Sequence, residues 1–519
     1  MAMVFSRRRG SGSPPIRPTS LECGSSSVGT PRPRDHLSGA GSGDAARAPP
    51  EARLPDRLSN LPDDILLSIV ERLDIADAAR TSVLSSRWEH VPAMLSKIVF
   101  TADSFKRRFH NSNLPCFDAD PNSTMAEAAS SILESRSCTD LYTIRLLRME
   151  FYLEGDCVFI GQAVAIALDT QNVSLAEFTI LTKKEVRLCT DKDLLYYGSK
   201  FKSFFYTWPS VFNGLTSLKL QNLRLADSEL PEVVSTCKRL EFLRLLNCDM
   251  GKLSFLELEH PRLTELEVVD SEFERVDLKW LPKLVVLTFS DWITRHHPLS
   301  FGYVPLLKSV SISNTALSYH KMLKLSEFLG KVTIRDLHLN FKSEKIWIKP
   351  EAPRELFNVF QKLQIVSLLN ISEECDLAWT MFILRGAPSL KELCIRVWDH
   401  FCDTILDEEE RKKYSYSEEP KDSGVECGGS ASGFKHHSLS VLRIFGFQTQ
   451  EKFMSYIENI MEAAVNLENI YLHNRPVCKI CQHMVRKPSR YPWTSKQKIS
   501  VRNKINKEMC SAVEIYFPK

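Results

Sequence analysis

The chain has 519 residues, of which 43% are hydrophobic and 25% charged, a composition typical of a globular protein with a large core. Its 67 basic and 64 acidic residues give a net charge of +3, which excludes a whole-molecule attraction to nucleic acid or anionic membranes. No apolar run approaches the roughly 18 residues of a membrane span. We therefore expect neither nucleic acid nor a membrane among its partners.

Residues 1–54 are rich in Ser, Gly, Pro and Arg and contain few large apolar residues. Such a segment cannot bury enough apolar surface to offset its ordering entropy, so we predict a disordered N-terminal tail. The run Arg7-Arg8-Arg9 is either an import feature or part of a solvated tail, and no apolar signal-peptide stretch follows it. With 14 scattered cysteines, these features predict free thiols and a location in the nucleus or the cytoplasm.

Three short helices are predicted between residues 55 and 98. The first begins around residues 60–64, where a capping residue precedes a proline and two acids. Asp74 and Asp77 can cap the second helix, and Ser85-Ser86 opens the third. A unit of roughly 40 residues is too small for a self-sufficient core. Part of its apolar surface should therefore contact a partner or the following domain.

Two motifs in this region carry a family resemblance. Leu61-Pro62-Asp63-Asp64-Ile65-Leu66, followed by Asp77-Ala78-Ala79-Arg80-Thr81-Ser82-Val83-Leu84-Ser85-Ser86-Arg87-Trp88, resembles the F-box of plant F-box/leucine-rich-repeat (F-box/LRR, FBD-like) proteins. Members of that family often continue with Leu-Trp, where this chain has Val91-Pro92, which leaves the end of the third helix open.

The resemblance implies that the F-box packs on a Skp-type adaptor and, through it, joins a cullin scaffold in an E3 ubiquitin ligase. It assigns adaptor contact to the Leu61-Pro62 opening and Ile65, and the apolar pattern adds further candidates. The predicted adaptor-binding residues are Leu61, Pro62, Ile65, Leu66, Ile69, Val83, Leu84 and Trp88.

Residues 99–139 are predicted to form linker helices and irregular segments, after which an apolar pattern repeats. Each copy has an apolar residue followed by others three and five residues later. Ten copies start at Leu215, Leu240, Leu263, Leu284, Leu307, Ile334, Leu363, Leu390, Leu439 and Leu467, and two weaker ones at Ile144 and Leu175. Starts from Leu215 onward lie 21 to 29 residues apart, except for one spacing of 49 that contains an insertion. This is the period of leucine-rich repeats.

The repeats predict an α/β fold in which the F-box precedes a curved leucine-rich-repeat solenoid over residues 140–480. Residues three and five places into each repeat share one strand face, because side chains alternate, and stacked strands bury them together. We expect a parallel sheet on the concave side, helices or irregular segments outside, and a C-terminal cap over residues 481–519. The motifs Arg475-Pro476-Val477-Cys478-Lys479 and Tyr491-Pro492 also resemble the end of the same plant family.

The insertion at residues 403–433 contains more acids than bases, together with Ser, Pro and Gly, and predicts a disordered acidic loop. Two interpretations stay open: a solvated insertion, or a regulatory segment phosphorylated near Tyr414, Ser415 or Ser417.

The concave face of the repeats is the predicted binding surface for a target protein of unknown identity. Its candidate residues are Lys219, Phe242, Arg244, Glu265, Glu267, His338, Ile365 and Arg443. Phe242 and Ile365 are large apolar residues predicted to face outward, which indicates a partner surface. The mixture of charge signs favours a protein or peptide over nucleic acid.

No catalytic constellation is recognisable in the sequence. Cys478, Cys481 and His483 have zinc-like spacing, but a second ligand pair at a matching distance is missing, so we expect no metal and no cofactor. A receptor subunit of a ubiquitin ligase needs no catalytic residue, because its contribution is proximity. We therefore predict a non-catalytic substrate-recognition subunit. The alternatives are a repeat scaffold not engaged in ubiquitylation and, less favoured, an enzyme.

Overall fold

The computed structural model describes residues 58, 60–106, 120–136, 143–251, 254–292, 297–314, 322–330, 332–343, 346–399, 433–475, 478, 489–507 and 513–518. Several predictions lie outside these residues. They concern the tail at 1–54, the acidic loop from 403 to 432 with Tyr414, Ser415 and Ser417, and the pair Cys481 and His483.

The predicted three helices of the F-box region are present. They are α1 (Asp63–Val70), α2 (Ile75–Thr81) and α3 (Ser86–Glu89), followed by a 3-10 turn at Pro92–Met94. Asp74 caps α2 as predicted, because its carboxylate accepts a hydrogen bond from the Asp77 amide at 2.8 Å. The predicted start of the first helix is corrected: Pro62 itself is the N-cap, in an extended conformation, and no side chain caps the helix.

A parallel sheet of 14 strands runs through the described residues. Its strands, in order across the sheet, are β1 (Lys97–Thr101), β2 (Ile144–Tyr152), β3 (Val173–Leu181), β4 (Ser217–Gln221), β5 (Phe242–Leu246), β7 (Glu265–Val269), β9 (Val286–Ser290), β11 (Ser309–Ser313), β12 (Asp336–Asn340), β13 (Ile365–Ile371), β14 (Glu392–Val397), β15 (Val441–Phe445), β16 (Asn469–His473) and β17 (Glu514–Tyr516). A second parallel sheet contains β6 (Ser254–Glu259), β8 (Phe273–Trp280) and β10 (Leu299–Tyr303).

All ten strong copies of the repeat pattern coincide with strands of the long sheet, which confirms the predicted solenoid. The apolar residues align across neighbouring strands, as where Leu218 pairs with Leu243 and Leu243 with Leu266. These side chains are fully buried. Each row of leucines therefore covers the next, and the core is continuous along the array. Of the weaker copies, the one assigned to Ile144 is two residues out of register, because Met149 pairs with Phe178.

The array extends beyond its predicted limits at both ends. Strand β1 crosses the predicted boundary between the F-box and the linker, and its Ile98 and Phe100 are buried against β2. The predicted linker also contains α4 (Ala102–Lys106) and α5 (Pro121–Arg136). Buried and more exposed residues alternate along β1, but its sequence lacks the leucine pattern of the other repeats and therefore gave no signal of a repeat. At the other end, β17 pairs with β16 within the predicted cap.

Helices connect most strands of the long sheet. They are α6 (Cys157–Thr170), α7 (Asp191–Thr207), α8 (Pro209–Gly214), α9 (Glu229–Thr236), α10 (Leu325–Leu329), α11 (Pro353–Phe360), α12 (Met381–Gly386), α13 (Glu451–Ala463) and, after the last repeat, α14 (Ser495–Lys507), with 3-10 turns at Val186–Leu188 and Ala378–Thr380.

Three neighbouring repeats carry a strand at the place where most of the other described repeats carry a helix, which corrects the expectation of helices or irregular segments outside. The repeats starting at Leu240, Leu263 and Leu284 are 23, 21 and 23 residues long, and they contain β6, β8 and β10. Repeats with helices need 25 to 29 residues. The difference has a physical cause, since an extended segment covers about 3.3 Å per residue and a helix about 1.5 Å.

Many strands of the long sheet are followed by an Asn, Asp or Gly residue that stands seven places after the start of its repeat. We call this row of residues the polar ladder. Its members adopt positive φ angles between 50° and 77°: Asn222, Asn247, Asp270, Asp291, Asn370 and Gly446. Asn247 donates a hydrogen bond to the side-chain oxygen of Asn222 at 2.5 Å, and Asn222 donates to the carbonyl of Lys184 at 2.9 Å. Asn, Asp and Gly tolerate this conformation best, so the ladder lets each strand turn toward the outer side.

Gly446 should tolerate no side chain. A Cβ atom at this residue would lie 1.9 Å from the carbonyl oxygen of Val397, whereas a Cβ at Gly251, also at positive φ, would meet nothing within 4 Å. We expect Gly446→Ala to lower the free energy of unfolding by roughly 1–3 kcal/mol more than Gly251→Ala does. Urea titration of both variants measures the difference, and equal losses would show that the close approach to Val397 is unimportant.

Two acids occupy neighbouring places in the ladder. Asp291 has a side chain that is 16% exposed and lies 2.6 Å from the ammonium of Lys342. Burial raises the pKa of Asp291 to about 6, and Asp270 beside it adds to the rise, against the attraction of Lys342. This pKa is higher than the ~3.9 of an aspartate in the unfolded chain, so the folded state binds the proton more tightly. The free energy of unfolding is therefore higher at low pH and falls as the pH rises through the pKa of Asp291 in the folded protein.

Replacing Asp270 by asparagine should therefore stabilise the protein at pH 7.5. The amide keeps the shape of the ladder and removes the charge that repels ionised Asp291. The gain over the wild type should shrink toward pH 4.5, where Asp291 is protonated in the folded state. Urea titrations of both proteins at the two pH values test this, and a gain independent of pH would contradict it.

Candidate functional site

The F-box helices expose a group of large apolar side chains. Their exposed fractions are 44% for Ile65, 36% for Ile69, 39% for Leu73, 84% for Val83 and 60% for Leu84. Pro62 is exposed and Leu61 half-buried. Exposed apolar residues in such density mark an interaction surface rather than a solvated one. We call these five side chains the F-box apolar surface.

Helix α1 carries apolar residues on two adjacent stripes. Leu66 and Val70, four residues apart, are buried, whereas Ile65 and Ile69 lie one residue earlier and face outward. The helix therefore fills its own core with one stripe and presents the other. Val83 and Leu84 belong to the turn after α2, where the Leu84 amide donates to the carbonyl of Thr81 at 3.0 Å.

Two of the predicted adaptor contacts are corrected. Leu66 and Trp88 are 0% and 3% exposed and belong to the hydrophobic core. Their side chains stabilise the F-box itself and are not on its surface. Leu73 was not among the predicted contacts, although it continues the four-residue spacing of Ile65 and Ile69. That spacing was the available signal for it.

The F-box and the repeats share one hydrophobic core. The cluster runs without a break from Leu66 and Trp88 through Ile98 of β1 and into the array. Helix α5 joins the two parts, because the buried guanidinium of Arg136 donates hydrogen bonds to the carbonyls of Ala93 and Leu95. The F-box is therefore fixed to the first strands of the array.

The second surface is the side of the long sheet that faces away from the core, called here the open face. It carries the residues two, four and six places after each repeat start. The eight predicted target-binding residues all lie on it, and all are half-buried: Lys219, Phe242, Arg244, Glu265, Glu267, His338, Ile365 and Arg443.

Five of these residues lie together on β4, β5 and β7. The Lys219 ammonium is 5.1 Å from the ring centre of Phe242, and Arg244 lies 3.3 Å from Glu267. Burial, and then the charge of Glu267, raises the pKa of Glu265. His338 and Ile365 lie on the neighbouring strands β12 and β13, and burial lowers the pKa of His338. Arg443 is several strands away.

The C-terminal end of the open face carries a group that sequence reasoning largely missed. We call it the C-terminal ring cluster, and it consists of Arg396, Arg443, Phe445, Tyr471, His473 and Tyr516. Only Arg443 was among the predicted target-binding residues. Arg396, Phe445 and His473 stand six places after their repeat starts, where β-strand alternation places them on the same face. The alternation of the strand, followed two residues further, was the signal for them.

The described residues offer little for covalent or metal chemistry. They contain no group of three or more His, Cys, Asp or Glu side chains able to hold a metal ion. Burial raises the pKa of the Cys157 thiol to about 11 and that of Cys237 to about 12, so both stay protonated near neutral pH. In the same part of the chain, no helix combines the length and apolarity that a membrane crossing requires.

Comparisons with known proteins match both parts of the chain, the F-box and the repeats. Residues 58–97 match the F-box domain family, and residues 203–514, more than half of the chain, match the family described as At1g61320/AtMIF1, LRR domain. These two matches cover the F-box apolar surface and most strands of the open face.

Several Arabidopsis thaliana proteins are similar to this chain. F-box/FBD/LRR-repeat protein At1g13570 is 28% identical over 309 residues, which is 55% of this chain and 68% of the relative. F-box/LRR-repeat protein At3g58980 is 22% identical over 443 residues, 81% of this chain and 70% of the relative. F-box protein At1g80960 is 43% identical over 70 residues, 14% of each chain. With its F-box and its repeat domain both matched, the chain belongs to the F-box/leucine-rich-repeat proteins.

Proposed function

We propose that the chain is the substrate-recognition subunit of a Skp–cullin–F-box E3 ubiquitin ligase. The observation that carries the proposal is the F-box apolar surface, which lies within the segment that matches the F-box family. An F-box implies binding to a Skp-type adaptor, and the adaptor would connect the chain to a cullin. The predicted location in the nucleus or the cytoplasm is part of the same proposal.

The exposed side chains supply enough apolar surface for a specific contact. Burying a Val, Leu or Ile side chain contributes roughly 1.5–3 kcal/mol. Five such side chains stand within 20 residues, on α1, between α1 and α2, and in the turn after α2. Because the side chains are already partly buried, each would contribute a fraction of that amount, and polar contacts around them would supply the rest of the affinity.

The repeats would supply the other half of the function by holding a target protein on the open face. The chain needs no catalytic group for this role. When a cullin brings a ubiquitin-charged enzyme beside the held target, transfer becomes effectively intramolecular, and the high local concentration drives it. The shared core of F-box and repeats supports this role because it fixes one surface relative to the other.

Complex formation tests the proposal. The full chain is mixed with purified Skp adaptor and cullin at micromolar concentration and analysed by gel filtration with light scattering. We expect a 1:1:1 complex in which the cullin co-elutes with the chain only when the adaptor is present. A chain that elutes without the adaptor contradicts the proposal and favours a repeat scaffold not engaged in ubiquitylation.

A further inference from the structure

We propose that the C-terminal ring cluster binds an extended segment of the target protein that places an acidic side chain against Arg396. The inference rests on the proposed function, because it names the class of segment that the open face would recognise. Its test reads peptide binding alone and needs no adaptor.

The first observation is a pair of buried nitrogen atoms that lack hydrogen bonds. The Nε atom of Arg396 and the Nε2 atom of His473 are shielded from solvent, and neither has a partner among the described residues. Polar atoms in such positions are normally satisfied, and an unmade hydrogen bond there is costly. The two side chains lie two strands apart with Phe445 between them, so a single carboxylate does not reach both. Arg396 is half-buried rather than buried, and its guanidinium is the group that an acidic side chain of a bound segment would contact.

The second observation concerns charge. Arg443 is paired with Glu392 at 2.7 Å, whereas Arg396 forms no ion pair within the part of the chain that the structure describes. At the other end of the open face, Arg148 lies 2.6 Å from Glu177 and Arg244 lies 3.3 Å from Glu267. Arg396, whose charge is not compensated by an ion pair among the described residues, therefore lies at the C-terminal end of the open face.

The open face also carries an acid near the ring cluster, and its charge determines where an acidic side chain of a bound segment would lie. Glu514 is exposed on β17 and accepts a hydrogen bond from the Tyr516 hydroxyl. It lies at the outer edge of the sheet, while Arg396 lies on β14, three strands away. An acidic group is therefore attracted to the row of Arg396, Phe445 and His473 and repelled from the edge strand.

The third observation is the stacking of the rings. Phe445 and His473 stack with centres 4.1 Å apart and planes at 9°, and Tyr471 and Tyr516 stack at 5.0 Å and 15°. The Arg443 guanidinium covers the Tyr471 ring at 4.2 Å. These contacts hold the side chains in place before any partner arrives, so binding loses little side-chain entropy. Arginine and tyrosine are also the residues most often found at the centre of protein interfaces.

Selection from a displayed library of random 12-residue peptides on the immobilised full chain tests the inference. We expect the selected peptides to be rich in Asp and Glu. Their affinity should fall at least ~10-fold for Arg396→Gln and should fall further as salt is added. Arg148→Gln is the matched control, because it removes an arginine from the other end of the same face, and it should leave the affinity unchanged.

Thermal unfolding of Arg396→Gln establishes that the variant is folded, and Arg396→Lys, which keeps the charge, should retain part of the affinity. The inference is overturned if no peptide is selected, if the peptides are not enriched in acids, or if both arginine variants behave alike. A single-stranded RNA of 12 nucleotides that binds more tightly than the peptides also overturns it, in favour of nucleic acid. These peptide affinities do not depend on adaptor binding, so they can be interpreted even if the chain fails to bind the adaptor.

Discussion

Replacing Ile65 and Val83 together by aspartate is expected to abolish adaptor binding without unfolding the chain. Both side chains are exposed, at 44% and 84%, and contribute little to the core. In a complex, however, each aspartate would bury an unpaired charge in an apolar contact. This should cost at least about 3 kcal/mol, or a loss of more than ~100-fold in affinity.

Calorimetric titration of the Skp adaptor into the full chain measures this effect. Phe357→Asp is the control, because Phe357 is 57% exposed on α11, outside the F-box. It adds one aspartate charge at an exposed apolar position and should leave the affinity unchanged. If the double variant bound the adaptor as tightly as the wild type, the F-box apolar surface would not be the contact.

Phe212→Ala should cause the largest loss of stability among the substitutions considered. Phe212 on α8 is fully buried, with ring centres of Phe178, Phe201, Phe204 and Phe205 between 5.0 and 6.1 Å away. Its removal leaves a cavity that the four surrounding rings, themselves tightly packed, cannot close. The free energy of unfolding should fall by roughly 3–5 kcal/mol.

Urea titration followed by tryptophan fluorescence measures this loss. Phe357→Ala removes the same side chain from an exposed site and should change the free energy of unfolding by no more than about 0.5 kcal/mol. Similar small losses in both variants would mean that the rings around Phe212 repack, contrary to the rigid cluster described.

The repeat fold was predictable because burial of one strand by the next requires apolar residues at a regular spacing in the sequence. Leu218, Leu243 and Leu266 must align to bury one another, and their regular recurrence predicted both the strands and the parallel register. Strand β1 escaped prediction because Ile98 and Phe100 meet the array only at its edge, where one neighbour suffices. The second sheet was not predicted, because the short length of a repeat indicates only that a helix does not fit and does not indicate that a strand forms in its place.

The functional surfaces were harder to predict because they depend on how an element is rotated. Ile65 and Leu66 are adjacent, apolar and equally compatible with a contact or a core position. Only packing of α1 against the turn at Pro92–Met94 buries Leu66 and leaves Ile65 outside. On the open face, alternation placed Lys219 and Arg443 correctly, whereas the stacking of Phe445 on His473 depends on ring orientations that no spacing specifies.

The junction between the F-box and the repeats fixes the position of the F-box apolar surface relative to the open face. Arg136 bonds to the carbonyls of Ala93 and Leu95, and Trp88 is buried in the core that continues into β1. A target on the open face would consequently be held at a fixed distance from the adaptor. Fixed placement is what a proximity mechanism requires, because a loosely held target lowers the effective concentration for transfer.

Hydrogen exchange of the full chain, with and without saturating Skp adaptor, tests most directly the claim that the F-box apolar surface binds the adaptor. We predict slower amide exchange in α1, in α2 and in the turn that carries Val83 and Leu84, with no change in the strands of the open face from β4 to β16. Unchanged exchange in these helices, or protection confined to the open face, would contradict the claim.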